Sequence, residues 1–99
     1  MPSYRVTLAI GALAPGVRPA EVLPAAADAA AALTTLEASS VNVVRGEARM
    51  TVRFTAEDDD IAVQVADHVR AVTGELAEVV DVRVTRQASG RWTTVRARP

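Results

Sequence analysis

Arginine and threonine alternate with apolar residues along several stretches of this chain, and they are the residues best suited to bind an anion. The arginines in question are Arg5, Arg49, Arg53 and Arg83, and the threonines are Thr7, Thr51, Thr55 and Thr85. A guanidinium group presents a planar fork of N–H donors that matches the oxygens of a carboxylate or phosphate. If these side chains share one surface, the sequence predicts a binding platform for a small anionic ligand.

The alternation itself indicates which elements position these residues. In residues 4–10 every second residue is apolar, which is the pattern of a strand with one buried face. The same period recurs in residues 49–55 and 80–85. The residues predicted to point inward are Tyr4, Val6, Leu8, Ile10, Met50, Val52, Phe54, Val80, Val82 and Val84. The arginines and threonines would then lie together on the opposite, outer face.

A second interpretation of that outer face remains open. Threonine favours strands, and the arginine stem covers apolar surface, so both residues also suit a face that is only solvated. Packing against a second subunit would explain them as well. Net charge does not decide the question, because the whole chain carries only −1.

Two helices are predicted between the strands. The first begins near Ala20 and carries an apolar stripe as far as Leu36, with Pro24 in its first turn and Ser39-Ser40 ending it. The second follows the acidic residues 58–60, which suit the N-terminus of a helix, and reaches Gly74.

Short turns complete the pattern. Gly46 lies in a tight connection between strands at 41–44 and 49–55, and Ser89-Gly90 precedes a last strand over 91–98. The order β-α-β-β-α-β predicts an α+β, ferredoxin-like split βαβ sandwich, with an antiparallel sheet and an additional C-terminal fifth strand. Residues 1–99 are expected to form a single domain.

The predicted fifth strand carries the candidate interface residues. Trp92, Thr94 and Arg96 should point to one side of this strand, and Val95 to the other. Trp92 and Val95 are candidate contacts because a tryptophan on an edge strand is a common anchor at interfaces. A homodimer is expected, through the sheet or through this strand.

Several chemistries find no support in the sequence. The chain has no cysteine, and its one histidine, His68, has no second ligand at metal-binding spacing. No catalytic set, metal site or cofactor motif is predicted. Nucleic-acid binding is disfavoured because Tyr4 and Phe54 should point inward, leaving no aromatic side chains on the central strands for bases to stack on. No apolar stretch is long enough to span a membrane, and a cytoplasmic location is expected.

Two family resemblances supply alternatives. Met1-Pro2 at the start of a β-α-β unit, with arginines nearby, resembles the tautomerase superfamily, whose N-terminal proline acts as a general base once the initiator methionine is removed. The short hairpin and Ser3 depart from that family. The topology with Gly11 after the first strand is similar to ACT-type regulatory modules, which bind amino acids at a subunit interface. The leading hypothesis is a non-enzymatic binding or assembly module for an anionic ligand or a protein partner.

Overall fold

The computed structural model describes residues 1–98, and the side chains of residues 1–96. It contains five strands and two helices: β1 (Ser3–Leu13), α1 (Pro19–Ala31), β2 (Leu36–Val44), β3 (Glu47–Thr55), α2 (Asp59–Gly74), β4 (Ala77–Ala88) and β5 (Arg91–Arg98). The strands form one antiparallel sheet in the order β2-β3-β1-β4-β5. The predicted α+β class, with a fifth C-terminal strand, is confirmed.

Both helices cover the same face of the sheet, which gives a two-layer arrangement. The core between the layers contains the inward residues of β1 and β3 together with small residues of the helices, such as Ala26, Ala30 and Ala66. Because alanine is short, the helices can approach the strands closely. Tyr4 and Phe54 are fully buried and stack on each other, with ring centroids 6.0 Å apart. The predicted inward alternation of β1 and β3 is confirmed.

The first helix ends earlier than its apolar stripe predicted. It stops at Ala31, and Leu36, Ser39 and Ser40 belong to β2, where they pair with β3. The prediction that Ser39-Ser40 breaks a helix was therefore wrong. Pairing with β3 supplies backbone hydrogen bonds to this segment, which outweigh the local preference of serine for turns.

Pro24 was also misplaced by the sequence pattern. Pro19 is the first residue of α1, so Pro24 lies in the second turn, inside the helix. Because proline has no N–H, the carbonyl of Ala20 loses its partner four residues along the chain. That carbonyl is in the first turn of an exposed helix end, where water can replace the bond.

Two-residue turns join the outer hairpins. Arg45 and Gly46 both have positive φ, of 53° and 78°, between the paired residues Val44 and Glu47. Ser89 and Gly90 repeat this geometry, at 52° and 76°, between β4 and β5. Two positive φ angles are the signature of a type I′ turn, which matches the twist of the strands that it joins. The predicted central connection was therefore two residues too long.

Irregularities in β4 and β5 move two side chains from their predicted sides. Ala9 pairs with Asp81 and Ile10 with Val79, so Val80 is an extra residue and is 42% exposed instead of inward. In β5, Val84 pairs with Arg96 and Thr85 with Thr94, so Val95 is the extra residue. Such a bulge interrupts the alternation, and Arg96 consequently points to the helix side.

Candidate functional site

The outer face of the sheet carries three of the four candidate arginines in one shallow groove. Arg5 of β1 is paired with Arg53 on β3 and with Thr85 on β4. One row further along, Thr7 is paired with Thr51 and with Arg83. Side chains directly opposite on neighbouring strands stand about 5 Å apart, so these rows form one continuous polar surface.

The groove crosses all five strands and has a volume of about 530 Å³. Its lining is polar apart from Ala38 and one aromatic ring. The lining residues are Arg5, Thr7, Ala38, Ser39, Ser40, Asn42, Thr51, Arg53, Arg83, Thr85, Trp92 and Thr94. Ligand sites for small molecules are commonly about 300–1,000 Å³ in size, so the groove is large enough for one.

Arg49 lies outside this groove. It lines a separate, smaller depression with Ala9 and Asp81, and its Nε is 3.5 Å from Glu47 Oε1. Arg83 borders both depressions. The predicted cluster of four is therefore divided into a group of three and one arginine beside it.

Arg53 is occupied by neighbours on the sheet itself. Its Nε is 3.4 Å from Glu37 Oε1, an ion-pair distance without hydrogen-bond geometry, and its Nη2 donates to Gln87 Oε1 over 3.3 Å. Glu37 also accepts a hydrogen bond from the Ser3 hydroxyl. These contacts hold Arg53 at the wall of the groove and neutralise much of its charge.

Arg5 and Arg83 differ from the other two. Among the described side chains, no carboxylate oxygen lies within 4.0 Å of either guanidinium group. Both belong to the central part of the groove, on the adjacent strands β1 and β4. They are thus the two arginines of the groove that retain donors for an incoming anion.

Trp92 positions Arg5. The guanidinium carbon of Arg5 is 3.9 Å from the centroid of the indole, and that of Arg53 is 5.2 Å from it. An arginine that lies over an aromatic ring is attracted to the face of the ring, while its N–H donors point outward in its own plane. The stacking therefore fixes the guanidinium without using the donors that would bind an anion.

The two candidate interface residues lie on opposite sides of β5. Trp92 is half-buried in the outer groove, whereas Val95 packs against the core under the helices. They cannot contribute to one surface patch. Trp92 adds an aromatic ring to the outer face, and the sequence did not show to which face of the sheet this residue of β5 would point.

The tautomerase resemblance depends on Pro2, and the resemblance to ACT-type modules depends on Gly11; both residues belong to the region of β1. The carbonyl of Pro2 accepts a hydrogen bond from the Ala56 N–H over 3.2 Å, which ties the start of β1 to the end of β3. Gly11 lies inside β1, where a Cβ atom would meet the carboxylate of Glu78 and a methyl group of Val80. The glycine turn after β1 is instead Pro15-Gly16, with φ of 81° at Gly16. His68 is exposed on α2.

A polar cluster at the N-terminus of α2 was not predicted. The Tyr4 hydroxyl donates to Asp59 Oδ1 over 2.7 Å, and Arg86 Nη1 donates to the same oxygen over 3.2 Å. Burial of the ring, followed by the hydrogen bond to the negative Asp59, raises the pKa of Tyr4 to about 12. The hydroxyl of a buried tyrosine usually has a hydrogen-bond partner, and this was the one signal of the cluster available in the sequence.

In the part of the chain that is described, no group of three or more histidine, aspartate or glutamate side chains is arranged to hold a metal ion. Neither of the two described helices is both long and apolar enough to cross a membrane.

Comparison with protein-family models, curated proteins and solved structures finds no match for this chain. Its function must therefore be inferred from the geometry of the groove.

Proposed function

We propose that this protein is a non-enzymatic binding module whose outer sheet face holds a small organic anion. The observation that carries the proposal is the pair formed by Arg5 and Arg83, which lie in a groove of small-molecule size with no carboxylate within 4.0 Å among the described side chains. A carboxylate or phosphate group would accept from these guanidinium groups, and Thr7 and Thr85 would supply hydroxyl donors between them.

The fold is proposed to be ferredoxin-like. The spatial order β2-β3-β1-β4, with both helices on one face, supports this topology, and β5 extends it at the β4 edge. In this arrangement the face opposite the helices is left open, which is where the groove lies. A cytoplasmic location is part of the same proposal, since the chain has no cysteine that an oxidising compartment could pair.

The surroundings of Trp92 favour an anion with a flat apolar part. The indole is half-buried and forms one wall of the groove beside Arg5. A planar ligand can pack along this wall while its charged group reaches the arginines. Nucleic acid remains disfavoured, because the central strands present no aromatic side chain and Tyr4 and Phe54 are both buried.

The experiment is a titration of the full chain with inorganic phosphate and with benzoate, followed by two-dimensional NMR and by thermal unfolding. We expect shifts in the amide signals of β1 and β4 and an increase in Tm, because a ligand that binds only the folded state stabilises it. Benzoate should bind more tightly than phosphate if the wall at Trp92 contributes.

The decisive variant is the double substitution Arg5→Gln and Arg83→Gln. It should abolish the effects of both anions, whereas Arg70→Gln on the exposed surface of α2 removes one positive charge elsewhere and should change nothing. Equal binding by the double variant and the wild type would refute the proposed site. Arg49 and Arg53, which are each ion-paired with a glutamate, should contribute less to anion affinity. Their substitution by glutamate therefore tests how far the site extends.

A further inference from the structure

The free edge of β2 is the least protected part of the sheet. β2 is the terminal strand in the sheet order, and all of its residues after Leu36 are exposed. Val41 is 48% exposed and Val43 is 72% exposed. An edge strand with exposed β-branched residues is a template on which another strand can pair.

The composition of β2 adds to this exposure. The strand reads Leu-Glu-Ala-Ser-Ser-Val-Asn-Val-Val, so Glu37 is its one charged residue, and it contains no proline. Soluble proteins usually protect such edges with charges, prolines or bulges. Here the one bulge lies at the start of the strand, between Leu36 and Ala38, and the stretch from Ser39 to Val44 is regular.

The turn at Gly46 determines which backbone groups are free. In a two-residue hairpin the closing pair, here Val44 and Glu47, is hydrogen-bonded, and such pairs alternate along an antiparallel ladder. The N–H and C=O groups of Asn42 and Ser40 therefore point to β3. Those of Ser39, Val41 and Val43 point to the free edge.

The same edge borders an apolar groove on the helix side. This groove has a volume of about 550 Å³ and lies between the first half of α1, the end of β1 and the β2–β3 hairpin. Val41 lines it together with Leu23 and Met50. The side chains that an added strand would cover are thus apolar on this side.

We propose that β2 is a homodimer interface, in which β2 of a second copy pairs with it antiparallel about a two-fold axis at Val41. Ser39, Val41 and Val43 are symmetric about that axis, so Val41 meets Val41 of the second copy and Ser39 meets its Val43. This register makes about six backbone hydrogen bonds, because each such pair exchanges two. The partner's strand extends the sheet without a break, and the interface is isologous.

The symmetry and the lack of charge along β2 favour a second copy over an unrelated segment. Every residue from Ala38 to Val44 is uncharged, so no like charges meet when two copies pair in this register. Glu37 stays on its own sheet, where its carboxylate accepts from Ser3 and lies 3.4 Å from Arg53. The opposite edge of the sheet, β5, is interrupted by the bulge at Val95, so two copies cannot pair there in a regular register.

The test is sedimentation equilibrium of the full chain at micromolar concentrations, comparing the wild type with Val41→Lys. The wild type should have the mass of a dimer. In the variant two ammonium groups meet at the axis, and the dimer dissociation constant should rise by about a hundredfold. Thr93→Lys adds the same charge to an exposed position of β5 and should leave the dimer intact. A monomeric wild type, or a dimeric Val41→Lys, would overturn the proposal.

Cross-linking provides a second measurement that does not depend on the effect of a buried charge. Because the chain has no cysteine, Val41→Cys introduces one thiol at the axis, and mild oxidation should link two copies. Thr93→Cys serves as the control and should remain unlinked. Equal cross-linking of the two variants would contradict the proposed interface.

Dimerisation and anion binding can be separated experimentally. The proposal rests on the β2 edge alone, and Arg5 and Arg83 lie on other strands. The Val41→Lys variant should still bind phosphate, and the double variant Arg5→Gln, Arg83→Gln should still sediment as a dimer. Failure of dimerisation and failure of anion binding are therefore detected separately.

Discussion

The two faces of this sheet come from the same strands and yet are held together by different forces. Tyr4 and Arg5 are neighbours in β1, but Tyr4 is fully buried under the helices and Arg5 lies in the open groove. The helix face is stabilised by burial of apolar area, whereas the outer face is ordered by weaker contacts such as the one between Arg5 and Trp92. Stability should therefore reside on one face and binding on the other.

The largest test of this difference is Phe54→Ala on the helix face. Phe54 is fully buried and stacks on Tyr4, so its removal should lower the free energy of unfolding by about 3–5 kcal/mol. Thr51→Ala, on the outer face of the same strand, should cost less than about 1 kcal/mol. Urea denaturation measures both, and similar losses would mean that the two faces contribute alike.

Tyr4 tests whether the helix face responds to alkaline pH. Since its pKa is raised from 10.0 to about 12, the unfolded chain loses this proton first, and ionisation of Tyr4 favours unfolding. The contribution is complete below pH 10 and is lost as the pH rises towards 12. Tm should therefore fall more steeply in this range for the wild type than for Tyr4→Phe, which lacks the ionisable hydroxyl. Parallel curves would show that burial and the hydrogen bond to Asp59 do not raise the pKa of Tyr4 in the folded protein.

Trp92→Ala should separate stability from binding on the outer face. Loss of the half-buried indole should cost about 1–2 kcal/mol in the free energy of unfolding, because both a cation–π contact and part of the ring's apolar burial are lost. Benzoate affinity should fall by more than phosphate affinity. If the two affinities fall equally, the indole serves only to hold Arg5.

The smallest expected effect belongs to an ion pair on the helix side. Arg96 contacts Asp67 at 2.6 Å and 3.4 Å through its two terminal nitrogens, but the carboxylate is half-exposed. Arg96→Gln should therefore lower the free energy of unfolding by less than about 1 kcal/mol. A larger loss would show that exposed residues on the helix side also contribute substantially to the free energy of unfolding.

Much of the fold could be predicted because burial alternates regularly from Tyr4 to Leu8 in β1 and from Met50 to Phe54 in β3. The division of the outer arginines into a group of three and Arg49 could not be predicted from the sequence, since it depends on which acidic side chains lie beside them. Glu37 reaches Arg53 only because β2 begins at Leu36, and the sequence pattern had placed Leu36 in a helix. Tertiary pairing overrode the local signal there.

Bulges account for the remaining differences. The exposure of Val80 and the turn of Arg96 to the helix side each follow from one extra residue, and one strand's sequence does not show how its partner is aligned. Trp92 was correctly placed on β5, but its contact with Arg5 needs the position of β5 relative to β1. These two strands are separated by β4 in the sheet, so the contact depends on the sheet order and the register of three strands.

The bulge at Val95 gives β5 a connecting role. Before it, the strand supplies Trp92 to the wall of the groove, and after it, the same strand supplies Arg96 to α2. A fluctuation that detaches β5 would open the ligand site and release a contact of the helix layer in one event. Hydrogen exchange of β5 should consequently slow when an anion occupies the groove, which would make this strand a reporter of binding for both layers of the protein.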